Sequence, residues 1–187
     1  MDHAARIGLR MRLLAAAVRR DSTDADLVAR SRGGSRTAFA ELVRRHEGWL
    51  VSLLDHLVES RADSEDLAQE ALITAWERLG SLREGQAFAS WLRRIAVSKA
   101  LAWRRRQARR ARSIVTEPVA PPFDATQPVA VRQVLLRMRP EHAAVLVLRE
   151  IEGLSYEEIA ETLRLPLGTV RSRLHYSRES FRRIWER

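Results

Sequence analysis

Cysteine is absent from the 187-residue chain, which excludes disulfides and thiolate metal sites and suits a reducing compartment. Lysine is nearly absent: Lys99 is the one lysine among 33 basic side chains, and the rest are arginine. No apolar run reaches the ~20 residues that a membrane-spanning helix needs. The patch Leu13–Val18 near the start is closed by Arg19 and Arg20. It is too short for the core of a secretory signal and reads as a frayed helix, with Met11 available as an alternative start. Alternating strand patterns are missing. The patterns of enzyme chemistry are missing too: there is no HExxH, no glycine-rich phosphate loop and no nucleophile motif. His46, His56, His142 and His175 are scattered. No catalytic residue, metal site or cofactor is therefore expected.

What is present is positive charge and helical periodicity. The formal net charge is +9 and the pI about 11.3, a balance that favours a polyanionic partner such as nucleic acid. Apolar residues recur at helical spacing almost throughout, which predicts an all-α protein. A short helix from Asp24 ends at Gly33-Gly34, and a long one follows through Phe39, Leu42, Val43, Trp49, Leu50, Leu53, Leu54 and Leu57. The segment "DSEDLAQEALITAWERLGSL" gives another, capped by Asp63 or Ser64, with Ala68, Leu72, Ala75, Trp76 and Leu79 as its buried stripe and Gly80 at its end. A third, "AFASWLRRIAVSKALAWRRRQARRAR", buries Phe88, Trp91, Leu92, Ile95 and Leu101.

The texture then changes. "SIVTEPVAPPFDATQP" holds four of the six prolines and no helical period, and it reads as a tether between two small helical domains. The resulting boundaries are an N-terminal extension 1–22, a first domain 23–112, a linker 113–128 and a second domain 129–187. The second domain begins with "VAVRQVLLRMR" and "PEHAAVLVLREIEG", the latter with Pro140 in its first turn.

Near the C-terminus, "GLSYEEIAETLRLPLGTVRSRLHYSR" places Tyr156, Ile159, Ala160 and Leu163 on one face of a helix that Ser155 can cap. Pro166 breaks it, and a new helix starts near Gly168-Thr169 with Val170, Leu174, Ser177, Phe181 and Ile184 turned inward. Its outer side carries Ser172, His175, Tyr176 and Glu179, flanked by Arg171, Arg173 and Arg178. Arginines for phosphates and guanine edges, with small hydroxyls for close approach, suit a DNA major groove. The same pattern also fits a plain helical hairpin with a solvated basic face.

This stretch resembles the promoter-binding C-terminal domain of bacterial RNA polymerase sigma factors of the extracytoplasmic-function group, in "EGLSYEEIA" and "GTVRSRL" above all. "DSEDLAQEALITAWERL" resembles the same family's polymerase-docking helix, and the helix ending in Arg104-Arg105-Arg106 resembles its segment that melts and reads the −10 element. The resemblance spans roughly Asp24 to Arg183. It implies core RNA polymerase docking through Asp66, Gln69 and Glu70, and −10 contacts from Arg94, Ser98, Lys99, Trp103, Arg104 and Arg105. It implies −35 contacts from Thr169, Arg171, Ser172, Arg173, His175, Tyr176 and Arg178. Core polymerase, promoter DNA and an anti-sigma factor are the partners it implies, for a cytoplasmic protein that is monomeric when free. Against the family pattern stand Val97, Ser98, Lys99 and Ala102, then Arg164 where a glycine is common, and Tyr176 and Ser177 where arginine and alanine are common. An autonomous helix-turn-helix regulator would need a sensory domain upstream, and no β/α pattern for one occurs.

Overall fold

The computed structural model describes residues 22–113 and 130–186. The N-terminal extension and the tether, with its Glu117 and Asp124, lie outside the described residues. Among the described residues the fold is all-α, in two domains. The first comprises α1 (Asp24–Arg32), α2 (Arg36–Asp55), α3 (Arg61–Arg78) and α4 (Phe88–Ser113). The second comprises α5 (Ala130–Arg137), α6 (Pro140–Leu146), α7 (Tyr156–Leu163) and α8 (Leu167–Trp185).

Helix starts follow the sequence closely. Thr23 and Asp26 form a reciprocal capping box on α1, and Ser155 and Glu158 form one on α7. Each box satisfies two backbone N–H groups that the helix itself leaves unpaired. The Ser155 backbone N–H, donated to Glu158, holds that carboxyl below its ordinary range. The cap of α3 differs from expectation. Ser60 accepts the Asp63 N–H at 3.0 Å, whereas Ser64 is buried one turn on and donates back to the Ser60 carbonyl. Gly80 lies in a 3-10 turn (Leu79–Ser81) instead of ending the helix.

The first core is built from Leu42, Leu50, Leu53 and Leu54 of α2, Leu67, Ala68, Ala71, Leu72 and Ala75 of α3, and Phe88, Leu92 and Ala96 of α4. Gly85, in the 3-10 turn before α4, lies against the α1 backbone: a Cβ there would stand 2.8 Å from the Ala25 Cα. Trp91 and Leu101 are half-buried. Trp76 departs from its predicted place, because it is 37% exposed at the edge of the α3 stripe.

In the second domain, the predicted helix "PEHAAVLVLREIEG" is not one regular helix. After Leu146 the chain widens into a π-helical segment, Val147–Ile151, in which the Glu152 N–H bonds the Val147 carbonyl. Such insertions rotate the following side chains and recur at functional sites. Here the rotation turns Glu150 toward α8 and Glu152 toward the first domain.

The turn between α7 and α8 is closed by Arg164 in the left-handed region, with φ 54° and ψ 51°. A non-glycine residue there is strained by its Cβ, and glycine is the usual solution at a helix C-terminus. Arg164→Gly is therefore expected to raise stability by about 0.5–1 kcal/mol, read as a higher thermal midpoint. An unchanged or lower midpoint would mean that the Arg164 side chain makes up the strain. Ser177 fills the inner face of α8 at 0% exposure, and its hydroxyl has no hydrogen-bond partner among the described residues.

Candidate nucleic-acid and protein interfaces

Four surfaces carry the residues that the sequence singled out, or stand beside them. The first is an open groove of about 910 Å³ between α2 and α3. Asp66, Gln69, Ile73 and Trp76 recur at i, i+3, i+7 and i+10 and so form one stripe along it. Phe39 and Val43 of α2 supply the opposite wall, and the Phe39 and Trp76 rings meet edge-on at 4.9 Å. Ile73 is 52% exposed, an unusual position for a large apolar side chain, in a groove also lined by Glu47, Glu65 and Asp66 and by Arg61, which donates to Glu65 at 2.8 Å. An apolar floor with an acidic rim suits a basic, partly apolar helix. Glu70 does not line this groove. It turns to α4, where Lys99 Nζ donates to it at 3.2 Å. Sequence reasoning found Asp66 and Gln69 but assigned Trp76 to the core, and the i, i+3, i+7, i+10 spacing was the signal for the whole stripe.

The second surface is the outer face of α8. Arg171, Ser172, His175 and Tyr176 are exposed, Tyr176 at 59%, while Thr169 and Arg173 are half-buried beside them. Val170 and Leu174 anchor the opposite side of the helix in the core, so the exposed face is held rigidly outward. Ser172 donates to the Thr169 carbonyl and His175 packs edge-on against Tyr176. Among the described residues no carboxylate is paired with Arg171. Arg178 is different: it donates through Nε and Nη2 to Glu150 at 3.1 and 2.7 Å, and that bond raises its pKa further.

The third surface is α4. Ser98 is exposed, and Arg94, Ser98, Lys99 and Arg105 line a polar cleft of about 570 Å³ together with Thr74, Arg78 and Arg164. Among the described residues that line it none is acidic. Two predicted −10 residues are not presented there. Trp103 is half-buried against the core. Arg104 is buried at 9% exposure and donates to the carbonyls of Leu135, Leu136 and Met138 at 3.4, 2.7 and 2.8 Å. Burial lowers its pKa from the usual arginine range. Placing Arg104 with the solvent-facing arginines is thus corrected: in this arrangement it caps the carbonyl end of α5, a role set by a domain contact that local sequence does not encode.

A fourth surface was not anticipated. Val131, Leu135, Leu146, Val147, Ile151, Phe181 and Trp185 line an apolar groove of about 540 Å³ in the second domain. The Phe181 and Trp185 rings stack at 5.8 Å along one side of it. The i, i+4 pair Phe181 and Trp185 near the C-terminus was the available signal.

Together these features define a two-domain helical DNA-binding protein: a helix-turn-helix domain follows a domain with an acid-rimmed docking groove and a basic helix. Comparison with known families agrees. The profile of Sigma-70 region 2 matches residues 42–110, and that of Sigma-70, region 4 matches residues 129–180. The RNA polymerase sigma-H factor of Pseudomonas aeruginosa is 34% identical over 175 residues, covering 84% of this chain and 91% of its own. The ECF RNA polymerase sigma-E factor of Escherichia coli strain K12 is 36% identical over 176 residues, covering 84% and 92%. Among solved structures, CnrH in complex with the cytosolic domain of CnrY superposes with a TM-score of 0.66 at 26% identity, over 87% of this chain and 97% of that one. Sigma factor RpoE of Bartonella quintana, solved with the anti-sigma factor NepR, shares the fold with a TM-score of 0.63 at 21% identity, over 79% and 96%. The chain belongs to the extracytoplasmic-function group of the sigma-70 family. It is an alternative sigma factor, a factor of transcription initiation. Among the described residues no helix is long and apolar enough to cross a membrane.

Proposed function

We propose that the surfaces divide the work of promoter selection. The α3 stripe Asp66–Gln69–Ile73–Trp76 docks the chain on core RNA polymerase, its apolar floor giving affinity and its acidic rim orientation. The α4 face, through Ser98 and Lys99 with Arg94 and Arg105, engages the melted −10 strand, the cations tracking phosphates. The first turns of α8, through Thr169, Arg171, Ser172, Arg173, His175 and Tyr176, read the −35 element in the major groove. The protein itself catalyses nothing, works in the cytoplasm, and is held by an anti-sigma protein until required. The complex of CnrH with the cytosolic domain of CnrY supports that last reading, and the apolar groove beside Phe181 and Trp185 suits a partner's apolar helix.

The observation that carries the proposal is the exposed Arg171–Ser172–Tyr176 face, fixed outward by the buried Val170 and Leu174 on a helix-turn-helix scaffold. The −10 assignment is tested in holoenzyme reconstituted with core polymerase. Permanganate reactivity of unpaired thymines is expected to fall roughly tenfold in a Ser98→Ala, Lys99→Ala variant, from the loss of one phosphate and one close contact. Core affinity is measured in parallel, because Lys99 also holds Glu70. Normal promoter opening by the variant would place −10 reading elsewhere.

A further inference from the structure

The α2–α3 groove suits a basic, partly apolar helix, and the chain carries a segment of that chemistry outside the described residues. Residues 1–21 hold five arginines against two aspartates. Within them Ile7, Met11 and Leu14 recur at i, i+4 and i+7. On that spacing Arg6 and Arg10 border the apolar stripe along one edge and Arg12 stands beyond the other. The sequence pattern is an apolar stripe between cationic edges.

The groove offers the complement. Val43, Val51, Leu72 and Ile73 lie along it with the edge-on rings of Phe39 and Trp76. Glu47 of α2 and Asp66 of α3 are exposed on its rim, and neither pairs with a cation among the described residues. Arg61, the cation among the described residues that line the groove, is committed to Asp55 and Glu65. Gly48 keeps the α2 wall low: nothing lies within 4 Å of the place a Cβ would take. A second backbone can therefore approach closely there. The stripe from Asp66 to Trp76 runs about 15 Å along α3, which gives room for the two helical turns that Ile7, Met11 and Leu14 define.

Reach permits the contact. The described chain begins at Ser22, whose carbonyl accepts from Arg45 Nη1 at 2.8 Å. Arg45 stands about 200° round α2 from Val43, on the side away from the groove. Residues 15–21 can span up to ~25 Å, about twice the diameter of a helix. Leu14 can thus pass round α2 and enter the groove.

We infer that the N-terminal extension is the resident ligand of the α2–α3 groove in the free chain, seated by Ile7, Met11 and Leu14, so that core polymerase must displace it. Arg6 and Arg10 supply the cations that Glu47 and Asp66 lack. Tethering gives the segment an effective concentration on the order of millimolar, so a contact too weak to form between separate chains suffices within one. A larger partner with more buried surface still wins the groove. The inference rests on the groove being the polymerase-docking surface.

The absence of cysteine makes the test direct. A nitroxide on a cysteine introduced at Leu9 of the full chain, off the stripe, is expected to halve the amide signals of Glu47, Gly48 and Ile73 or reduce them further. Signals from α8 should stay sharp. Glu47→Arg should relieve the broadening, and adding Arg10→Glu to it should bring the broadening back. Ile7→Ser with Leu14→Ser, which leaves the charge unchanged, should tighten binding to core polymerase roughly tenfold, the amount by which occupancy reduces the competent population. Sharp groove signals overturn the inference. So does broadening that passes only from a spin-labelled chain to a separate 15N-labelled chain, which would give the groove to a second copy. Broadening within the chain with unchanged or weaker core affinity in the Ile7→Ser, Leu14→Ser variant overturns the competition. The seat is read by broadening alone and the docking surface by core binding with Asp66 and Ile73 substituted, so the two fail separately.

Discussion

Substituting Asp66→Arg together with Ile73→Glu is expected to abolish co-purification with core RNA polymerase while leaving helical content and thermal midpoint near their original values. The expectation follows from where the two residues sit. Both lie on the α3 stripe along the α2–α3 groove and both are exposed, so neither replacement disturbs the core beneath. Asp66→Arg inverts the rim charge that would face a basic partner, and Ile73→Glu puts a carboxylate on the apolar floor. Central, apolar interface positions carry most of the energy in such contacts, and losing one together with a charge reversal weakens binding by roughly 100-fold or more. Glu70→Arg should do much less to docking, since Glu70 faces Lys99 and not the groove. Equal damage from Glu70→Arg would move the docking surface toward α4.

The second large effect is expected at α8. Arg171→Ala with Ser172→Ala should lower transcription from the cognate promoter by roughly 10- to 100-fold, as expected from ~1–3 kcal/mol for one arginine–base contact. Core binding should be unaffected. Both side chains point outward from a helix whose inner residues, Val170 and Leu174, are fully buried, so stability is expected to change by less than ~0.5 kcal/mol. Arg178→Ala makes a useful contrast: its guanidinium is engaged by Glu150, so its loss should act on the fold of the second domain more than on DNA. A transcription defect for Arg178→Ala equal to that of the double variant would mean that the Glu150 pair breaks on DNA.

Most of the fold was legible in the sequence because helical proteins write their cores as a 3.6-residue period. The stripe Val170, Leu174, Ser177 and the cap at Ser155 both stand where the spacing put them. The misplacements have local physical causes. Around α3, Ser60, Asp63 and Ser64 are all capping residue types, and burial of Ser64 settled the choice in favour of Ser60. The π segment at Val147–Ile151 was hidden because the buried apolar run Ala143–Leu148 passes from α6 into its first two residues without a change in pattern. Trp76 was assigned to the core because large aromatics usually belong there, yet it sits at the edge of the stripe, where a groove needs a wall. Least legible was the division among the arginines. Nothing in "AWRRRQARR" distinguishes Arg104, buried against the carbonyls of α5, from Arg105, exposed beside Glu141. That difference comes from contacts more than thirty residues away in the chain, which periodicity does not record.

The domain contact also gives meaning to the basic charge. A chain of net charge +9 would bind nucleic acid indiscriminately if all of its arginines faced solvent. Arg93, Arg94, Arg104, Arg105, Arg132 and Arg178 are each occupied within the molecule. Arg171 and Arg173 on α8 carry no such pairing among the described residues.

The central claim is that this chain selects promoters for core RNA polymerase, and the most direct measurement is reconstitution with core enzyme followed by sequencing of transcript starts. The account predicts starts that share two aligned DNA elements upstream, with the −35 element lost as a determinant in the Arg171→Ala, Ser172→Ala variant. Transcript starts no different from those of core enzyme alone, or starts with no shared upstream sequence, would contradict it.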